Sequence, residues 1–255
     1  MKNYKISACI VTYNSETEIR TILNALLKSS VISIMDVYVV DNCSTDNTKN
    51  VVENEFPSVK LLKLEYNIGF GAGHNKIIMN LNTKYHFIVN PDIHFEPNLI
   101  EDLLDYMDEN EDICMVTPKI LNPDGTEQFL PKLNPKIRYF LGGRFEKYGF
   151  VFEKWRSEYT RKNEMISEPT DIEFSTGCFM MSRTNALRAV KGFDERYFLH
   201  FEDADLSRML VKEGRLIFNP NFTVTHLWKR DNVKSKKIFL IALNSMMKYF
   251  IKWGL

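Results

Sequence analysis

The stretch ISACIVTYNSETEI, residues 6–19, decides the fold, because it contains a complete change from one secondary structure to the next. Ile6–Tyr13 is apolar and rich in β-branched residues, which is typical of a buried strand. A polar turn follows, in which Ser15 and Glu18 have the spacing of a helix capping box. A strand that passes directly into a helix is the repeating unit of α/β proteins.

The same alternation continues to residue 92. Strands are predicted at Val37–Val40, Val59–Leu64 and Tyr85–Val89, and helices are predicted to begin at about Thr48 and at Lys76. This pattern predicts an α/β fold with a mostly parallel central sheet and helices on both faces. In such sheets ligands bind beyond the carboxyl ends of the strands.

Polar residues lie at each of these strand ends. Asp41 could accept hydrogen bonds from a nucleobase or a ribose, and could equally form a turn or cap the next helix. Asn67–Asn75, NIGFGAGHN, could bring the backbone close to a phosphate or sugar, and the alternative is a flexible connection. Its glycine spacing is not that of the dinucleotide-binding fingerprint.

Asn90 and Asp92 follow the fourth strand with an amide oxygen and a carboxylate two residues apart. Mg²⁺ and Mn²⁺ prefer such oxygen ligands, usually together with substrate phosphate. A plain β-turn would also explain Asn-Pro-Asp, but the position at a strand end favours a metal site.

A second acidic site is predicted in GFDERYFLHFEDADL, residues 192–206. Glu202, Asp203 and Asp205 follow an apolar run, and carboxylates placed against apolar neighbours tend to be functional groups. Asp203 suits a general base, whereas a helix start favoured by the macrodipole explains one acid more easily than three. His226 follows a strand-like run, and a single histidine is more often packed than a ligand.

The second half of the chain has no regular alternation. Residues 137–161 are rich in aromatics and are predicted to form a long loop or a helical excursion. Without a repeat or a linker, residues 1–255 are predicted to form a single domain, with a nucleotide-binding half (1–92), an acceptor and catalytic half (93–235) and a C-terminal helix (236–255). Two further strands are predicted at Phe174–Ser182 and Arg215–Asn219.

The composition excludes several classes of protein. Lys plus Arg equals Asp plus Glu, at 33 each, so bulk binding to nucleic acid is not expected. The four cysteines have no CxxC spacing, which argues against a zinc site and a disulfide framework and favours a reducing, cytoplasmic location. The apolar runs predict neither a signal peptide nor a membrane span.

Six motifs then point to a known family. In chain order they are VTYN (11–14), VVDNCSTDNT (39–48), NIGFGAGHN (67–75), NPDI (90–93), STGCFMMSR (175–183) and FEDADL (201–206). Together they closely resemble family 2 glycosyltransferases. Within that family the chain resembles bacterial rhamnosyltransferases that build cell-surface polysaccharides.

This resemblance implies a GT-A fold, an inverting mechanism and a nucleotide-diphosphate-sugar donor. It implies that Asp203 is the catalytic base, with Glu202 beside it. A Mg²⁺ or Mn²⁺ ion would bind at Asp92, Asn90 and His226, and Asn90 stands where the family has an acid, which lowers the expected metal affinity. The nucleotide pocket would be lined by Thr12, Asn14, Asp41, Asn67, Gly69 and Asn75.

The resemblance also suggests the substrates. The first donor expected is dTDP-rhamnose and the second is a UDP-hexose, with a glycan or a polyprenyl-linked saccharide as acceptor. For residues 234–253, which mix Lys with apolar residues, a helix packed on the domain is favoured over one lying on the inner face of the plasma membrane.

Two other functions are considered. Binding of a sugar nucleotide without catalysis is disfavoured because the acid at 203 is present. Nucleotidylyl transfer is disfavoured because it needs a basic, glycine-rich loop where this chain has TYNSETE, residues 12–18. The glycosyltransferase hypothesis itself requires Asp92 and Asp203 to lie at the same cleft.

Overall fold

The computed structural model describes residues 2–227 and 236–254. Its central feature is a nine-stranded sheet. The strands are β1 (Ile6–Thr12), β2 (Met35–Asp41), β3 (Lys60–Lys63), β4 (Tyr85–Val89), β5 (Ile93–His94), β6 (Ile113–Leu121), β7 (Thr170–Asp171), β8 (Phe179–Arg183) and β9 (Arg215–His226).

The strand order is β3-β2-β1-β4-β8-β6-β9-β5, with β7 paired to β9. Strands β3, β2, β1 and β4 are parallel, and β6 is parallel to β9. Strand β8 is antiparallel to both of its neighbours, so β6 and β9 run in the same direction as β4. The carboxyl ends of β1, β2, β4, β6 and β9 therefore lie at one edge of the sheet, together with the beginning of β8.

Helices cover both faces of the sheet. The alternation of side chains along β1 puts Ile6, Ala8 and Ile10 in the largest core cluster and Cys9 and Val11 in another. The helices are α1 (Glu16–Leu27), α2 (Thr48–Glu55), α3 (Phe70–Ile78), α4 (Leu99–Glu109), α5 (Ile137–Phe145), α6 (Phe150–Thr160), α7 (Thr184–Ala189), α8 (Glu202–Leu210) and α9 (Lys236–Trp253). The predicted α/β class is confirmed, while the division into two functional halves stays a prediction.

Helix α3 differs from its prediction, because it begins at Phe70 and includes most of the glycine-rich turn. The glycines there permit close packing. A Cβ on Gly71 would lie 2.7 Å from the Cβ of Phe193, and a Cβ on Gly73 would lie 2.9 Å from a methyl of Val11. A capping box at Ser15 was also predicted, but this side chain makes no capping hydrogen bond.

Two strands also differ from their predictions, whereas the aromatic excursion takes the helical form that was one of its two predicted alternatives. Strand β8 begins five residues later than predicted, at Phe179, and the residues before it form an irregular segment at the strand edge. Strand β9 extends seven residues further than predicted, to His226, because it also pairs with β5. The excursion at 137–161 forms a helical hairpin made of α5 and α6.

Helix α9 packs against α8, in agreement with the favoured prediction. The carboxylate of the fully buried Asp205 in α8 accepts hydrogen bonds from Lys252 Nζ at 2.7 Å and Trp253 Nε1 at 2.6 Å. Ser245 Oγ donates to the Leu199 carbonyl at 2.9 Å. None of the helices within residues 2–227 and 236–254 combines the length and the apolar character that a transmembrane span needs. Residues 234 and 235 lie outside the described residues.

Candidate active site

The strand edge defined above carries most of the predicted site residues. Asn14 lies just after β1, with a φ of 54°. Its Oδ1 accepts hydrogen bonds from the Thr45 N–H at 2.8 Å and the Thr45 hydroxyl at 3.2 Å, and its own N–H donates to Ser44 Oγ at 2.9 Å. The Asn14 side chain therefore ties the turn after β1 to the turn after β2.

Asp41, at the end of β2, is fully buried. Its carboxylate accepts hydrogen bonds from the Ser44 N–H at 3.0 Å and from Thr12 Oγ1 at 3.3 Å. These contacts correspond to the turn-forming alternative. Its contact with a nucleobase, and that of Thr12 with the nucleotide, stay predictions.

Asn42 was not predicted, although it organises the glycine-rich turn. Its Oδ1 accepts from the Ile68 N–H at 2.8 Å, and its Nδ2 donates to the Gly69 carbonyl at 2.9 Å. Asn67 Oδ1 accepts from the Gly69 N–H at 2.9 Å. Both amides hold the backbone of the turn in place, and a sequence signal for Asn42 was its position directly after the strand-end acid.

Gly69 brings the glycine-rich turn against the segment that leads to the second acidic site. Its φ is 93°, which favours glycine, and a Cβ there would lie 2.3 Å from the Phe198 carbonyl oxygen. The Phe70 N–H donates to the same oxygen at 3.3 Å. The two regions are therefore in direct backbone contact.

Asn75 also joins these regions, but through its whole side chain. Its Nδ2 donates to the Phe193 carbonyl at 2.8 Å and to Glu195 at 3.0 Å, and its Oδ1 accepts from the Phe193 N–H at 2.9 Å. These bonds make Asn75 a clamp within the fold. A direct contact with the nucleotide stays a prediction without support from these bonds.

The predicted metal ligands Asp92 and His226 meet because β5 pairs with the end of β9. His226 Nε2 lies 3.3 Å from Asp92 Oδ1, and the Leu227 N–H donates to the Asp92 carbonyl at 3.0 Å. His226 Nδ1 lies 3.1 Å from Gln128 Oε1. Gln128 was not predicted and lies on the segment that follows β6.

The contacts of Gln128 determine the protonation of His226 Nδ1. Gln128 Nε2 donates to the backbone carbonyls of Leu121 at 3.4 Å and His226 at 3.0 Å and to the side-chain Oδ1 of Asn122 at 3.0 Å, so its Oε1 is the atom that faces the ring. Nδ1 must then carry the proton. In the neutral imidazole this leaves the Nε2 lone pair pointing towards Asp92, as in histidines that bind metals.

The lone pairs of His226 Nε2 and Asp92 Oδ1 repel each other at 3.3 Å. This repulsion is relieved by a cation that binds both atoms, or by a second proton on the His226 ring. The pair of Asp92 and His226 therefore fits a divalent ion that takes its other ligands from substrate phosphate. The described residues contain no group of three or more His, Cys, Asp or Glu that could bind a metal.

A short segment, residues 176–178, connects the two acidic sites. The Asn90 N–H donates to the Cys178 carbonyl at 2.8 Å, and the Gly177 N–H donates to Asp203 Oδ2 at 3.2 Å. A cleft of about 230 Å³ is lined by residues from both sites, among them Asn90, His226, Glu202 and Asp203. Asp92 is next to this cleft through its contact with His226.

The acids of α8 follow two residues in an unusual conformation. His200 and Phe201 have φ values of 67° and 69°, and such left-handed residues cost about 1 kcal/mol or more each. Asp203 is half-buried, and its Oδ1 accepts a bond from the Ala204 N–H at 2.9 Å. This backbone turn directs the first residues of α8 to the cleft.

Glu202 is buried, with 5 % of its surface exposed. Burial, and then the neighbouring charge of Asp203, raises the pKa of Glu202 to about 8. Its Oε2 has no hydrogen-bond partner among the described residues. Burial therefore favours the protonated, neutral form of Glu202, next to the predicted base.

Lys132 is a second cleft residue that was not predicted. Its ammonium lies 5.6 Å from the ring centre of Tyr159 and 5.3 Å from that of Phe174. Burial, with a smaller contribution from Arg156, lowers its pKa to about 8, while the charge of Asp203 acts in the opposite direction. Lys132 forms no ion pair in the described part of the chain. No local motif marks this lysine in the sequence.

A larger depression of about 570 Å³ lies elsewhere, at Asp112, Asp171 and Arg215. Arg215 bonds both acids there, at 2.8–2.9 Å. Asp112 and Arg215 are at the amino ends of β6 and β9, at the opposite edge from the predicted site residues. We therefore assign the site to the smaller cleft.

Comparison with known proteins supports this description. The family model "Glycosyl transferase family 2" matches residues 7–191. An N-acetylglucosaminyl-diphospho-decaprenol L-rhamnosyltransferase of Mycobacterium tuberculosis is 28 % identical over 230 residues, which are 85 % of this chain and 74 % of that protein. The family match ends before Glu202 and Asp203, whereas the rhamnosyltransferase match covers most of the chain.

Two further proteins with solved structures are similar to this chain. TarS of Staphylococcus aureus, a poly(ribitol-phosphate) β-N-acetylglucosaminyltransferase, is 31 % identical over 151 residues, which are 54 % of this chain and 26 % of TarS. Its fragment 1–349 with UDP superposes with a TM-score of 0.61 at 22 % identity, covering 94 % of this chain and 65 % of the fragment.

The mannosyltransferase PcManGT of Pyrobaculum calidifontis, in complex with GDP-Man and Mn²⁺, superposes with a TM-score of 0.65 at 13 % identity. It covers 99 % of this chain, which spans 64 % of the mannosyltransferase. These likenesses confirm the predicted GT-A fold. Since the family model covers well over half of the sequence, the chain belongs to glycosyl transferase family 2.

Proposed function

We propose that this chain is an inverting glycosyltransferase that moves a sugar from a nucleotide-diphosphate donor to a hydroxyl of a surface-polysaccharide acceptor. The observation that carries the proposal is the single cleft lined by Asn90, His226, Glu202 and Asp203. On one side of the transferred sugar the enzyme needs groups that bind the diphosphate, and on the other side it needs a base that takes the proton of the acceptor hydroxyl. Residues 176–178 keep these two groups of side chains next to each other.

The chemistry assigned to Asp203 is proton removal. Its carboxylate takes the proton of the acceptor hydroxyl as the oxygen attacks the anomeric carbon, and the nucleoside diphosphate leaves from the opposite face. In its protonated form, which burial favours, Glu202 can donate a hydrogen bond to substrate without adding a second negative charge next to the base.

The proposed metal ligands are Asp92 and His226, with the Asn90 amide as a weaker oxygen donor. When bound, Mg²⁺ or Mn²⁺ would neutralise the charge that develops on the departing diphosphate. Gln128 holds the His226 ring with Nε2 towards Asp92. Thr12, Asn14, Asp41, Asn67 and Gly69 belong to the turns proposed to form the nucleotide pocket.

The proposed donor is dTDP-rhamnose. Support comes from the M. tuberculosis rhamnosyltransferase and from the E. coli rhamnosyltransferase WbbL, which is 34 % identical over 91 residues. A UDP-hexose is the second candidate, supported by TarS, whose solved structures include complexes with UDP and UDP-GlcNAc.

The proposed acceptor is a glycan or a saccharide linked to a polyprenyl diphosphate. The name of the M. tuberculosis relative, which describes a lipid-linked acceptor, supports this class. A protein that acts on such an acceptor would work from the cytoplasm at the inner face of the plasma membrane. We propose contact with that membrane through residues 234–253, by the face of α9 that does not pack on α8.

A panel of donors tests the proposal. The purified chain would be incubated with Mn²⁺ and dTDP-rhamnose, UDP-glucose, UDP-GlcNAc or GDP-mannose, and released nucleoside diphosphate would be measured with Asp203→Asn as the matched blank. We expect release from one donor class by the unchanged chain alone. Nucleotide binding in a thermal-shift assay without turnover of any donor would favour a binding protein, and absence of both would overturn the proposal.

A further inference from the structure

The loop between α5 and α6 is unusually exposed for a sequence so rich in aromatics. All nine residues from 143 to 151 are exposed. Tyr148 and Phe150 have 79 % and 77 % of their surface accessible, and Phe145 and Val151 are also exposed. We call residues 143–151 the hairpin tip. Apolar side chains grouped in this way usually mark an interaction surface.

The hairpin tip is internally organised. The ring of Phe145 lies 6.1 Å from that of Tyr148 and 5.6 Å from that of Phe152, and both contacts are within the range of favourable aromatic pairs. The aromatic side chains therefore support one another without being covered by the core. A prearranged apolar surface loses little conformational entropy when it binds.

The first turn of α9 extends this surface. The ring of Phe239 lies 4.7 Å from the Arg144 guanidinium and 6.4 Å from the ring of Phe140 in α5. The next residue, Leu240, has 62 % of its surface exposed. The hairpin tip and the start of α9 are thus neighbours on one side of the molecule.

The charges around this surface have one predominant sign. Five exposed cations flank it, against the two exposed acids Glu146 and Glu153. The chain as a whole has a formal net charge of zero, so this excess is local. The cations are Arg144, Lys147, Lys154, Lys236 and Lys237.

We propose that the hairpin tip and the first turn of α9 form a surface that docks on an anionic lipid bilayer. Exposed aromatics that sit at the level of the lipid headgroups, surrounded by Lys and Arg, are typical of proteins that lie on such membranes. An anionic bilayer supplies both an apolar region for the aromatic side chains and negative headgroups for the Lys and Arg side chains. The surface extends the membrane contact of α9 to a second element, and its purpose rests on the proposed lipid-linked acceptor.

Vesicle co-sedimentation tests this surface. The full chain would be mixed with vesicles of phosphatidylcholine alone or with added phosphatidylglycerol, at low and high salt. The test variant is Tyr148→Ser with Phe150→Ser. The matched control is Val211→Ser, which changes an exposed apolar residue at the end of α8. A charge variant, Lys147→Gln with Lys237→Gln, completes the set.

We expect the unchanged chain to bind vesicles that contain phosphatidylglycerol, and salt to weaken this binding. The aromatic variant should bind about tenfold more weakly, since its apolar anchors are lost. The charge variant should lose affinity only for anionic vesicles, and the control should match the unchanged chain. Equal binding of the aromatic variant and the control, or no binding by the unchanged chain, would overturn the proposal.

Two further measurements separate the possible failures. Light scattering would detect a dimer abolished by the aromatic substitutions; without vesicle binding, this result would overturn the proposal in favour of a second copy of the chain. Donor hydrolysis without vesicles should be the same in all variants. If the unchanged chain does not hydrolyse any donor, the proposed function is contradicted, but the result of the vesicle-binding experiment remains valid.

Discussion

The two sides of the cleft use their polar side chains in opposite ways. On the strand-end side, Asn14, Asp41 and Asn42 are bonded to neighbouring turns of the same chain. On the acid side, Glu202 has an oxygen without a partner among the described residues, and Lys132 lies over aromatic rings without forming an ion pair there. The first side is complete without ligand, whereas the second retains unsatisfied chemical groups.

This difference indicates that the two sides of the cleft have different roles, one structural and one chemical. Side chains on the strand-end side fix the shape of a pocket that backbone groups can then offer to a nucleotide. Side chains on the acid side keep charges and hydrogen-bonding groups that substrate can use. Substitutions should therefore reduce turnover mainly on the acid side and stability mainly on the strand-end side. The predictions below are ordered by their expected effect on catalysis.

Asp203→Asn should have the largest effect. The amide keeps the size of the side chain but cannot accept the acceptor proton, so kcat should fall by about 100- to 10,000-fold. The affinity for the nucleoside diphosphate, measured by calorimetry, should stay the same. Asp105→Asn, at an exposed position of α4, is the control. Turnover retained in Asp203→Asn would remove Asp203 from the role of base.

Asp92→Ala should weaken donor binding, because it removes the carboxylate next to His226. We expect a loss of about 10- to 100-fold in affinity for nucleotide with Mn²⁺. Titrations with Mn²⁺ and with EDTA should differ for the unchanged chain and coincide for the variant. Donor affinity that does not depend on EDTA or on Asp92 would contradict the metal site.

Lys132 is a cation that lines the cleft, and we propose that it bonds the anionic diphosphate of the donor. Lys132→Met should then lower donor affinity about tenfold, the usual size of a lost hydrogen bond to a charged group. Since the pKa of Lys132 is lowered to about 8, its positive charge is present below that pH and is lost above it. Donor affinity of the unchanged chain should therefore decrease as pH rises through 8. Lys132→Arg should keep its affinity at higher pH, and parallel pH profiles for all three proteins would exclude Lys132 from donor binding.

Glu202→Gln should leave turnover within about tenfold, because a neutral amide resembles the protonated acid. It should also change the pH dependence of stability. The pKa of Glu202 is raised from 4.5 to about 8 in the folded protein. The contribution of Glu202 to the free energy of unfolding is therefore most favourable below pH 4.5, and it decreases as the pH rises towards 8.

Urea denaturation at several pH values measures this effect. The variant should lack the decrease between pH 5 and pH 8 that Glu202 causes in the unchanged chain. Glu213→Gln, at an exposed position, is the matched control and should keep it. If the difference in unfolding free energy between Glu202→Gln and the unchanged chain does not vary with pH, Glu202 is ionised in the folded protein at neutral pH.

Asn14→Ala should affect stability more than turnover. It removes the acceptor of the Thr45 bonds and replaces an Asn, which tolerates a φ of 54°, with a residue that does so less well, so we expect a loss of about 2 kcal/mol in unfolding free energy. Asn14→Gly, which tolerates this φ, should lose less. Turnover per folded molecule should change by less than about twofold. A large loss of kcat would instead indicate direct contact with substrate.

Much of the fold could be predicted from the sequence. Strand β4 has the predicted bounds, helix α9 begins at the predicted residue, and β1 differs by one residue, because apolar runs and helical spacing are local signals. The start of α3 was missed because Gly71 and Gly73 read as a turn, whereas tertiary packing against Phe193 and Val11 requires small residues inside a helix.

The candidate site was predictable where it depends on strand ends and motifs. Asn90, Glu202, Asp203 and His226 were identified in this way, and they line one cleft. Gln128 and Lys132 were not identified, because they lie in an irregular segment after β6 and reach the cleft through tertiary structure alone. Asn75 was assigned to the nucleotide from its motif, but its hydrogen bonds hold the Phe193 segment.

Asp203 and Asp205 are two positions apart on α8 and serve different neighbours, the cleft and the last turn of α9. Helix α8, which carries the proposed base, is therefore held in place by its hydrogen bonds to the C-terminal helix α9. Deleting α9 would remove both the cation and the indole N–H that bond Asp205, and would uncover the face of α8 on which α9 packs. Such a shortened chain would lose activity through disturbed anchoring of α8, whatever role lipid contact has. Substitutions at outward-facing positions such as Leu240 and Ile251 would change the outer face of α9 and leave this anchor intact.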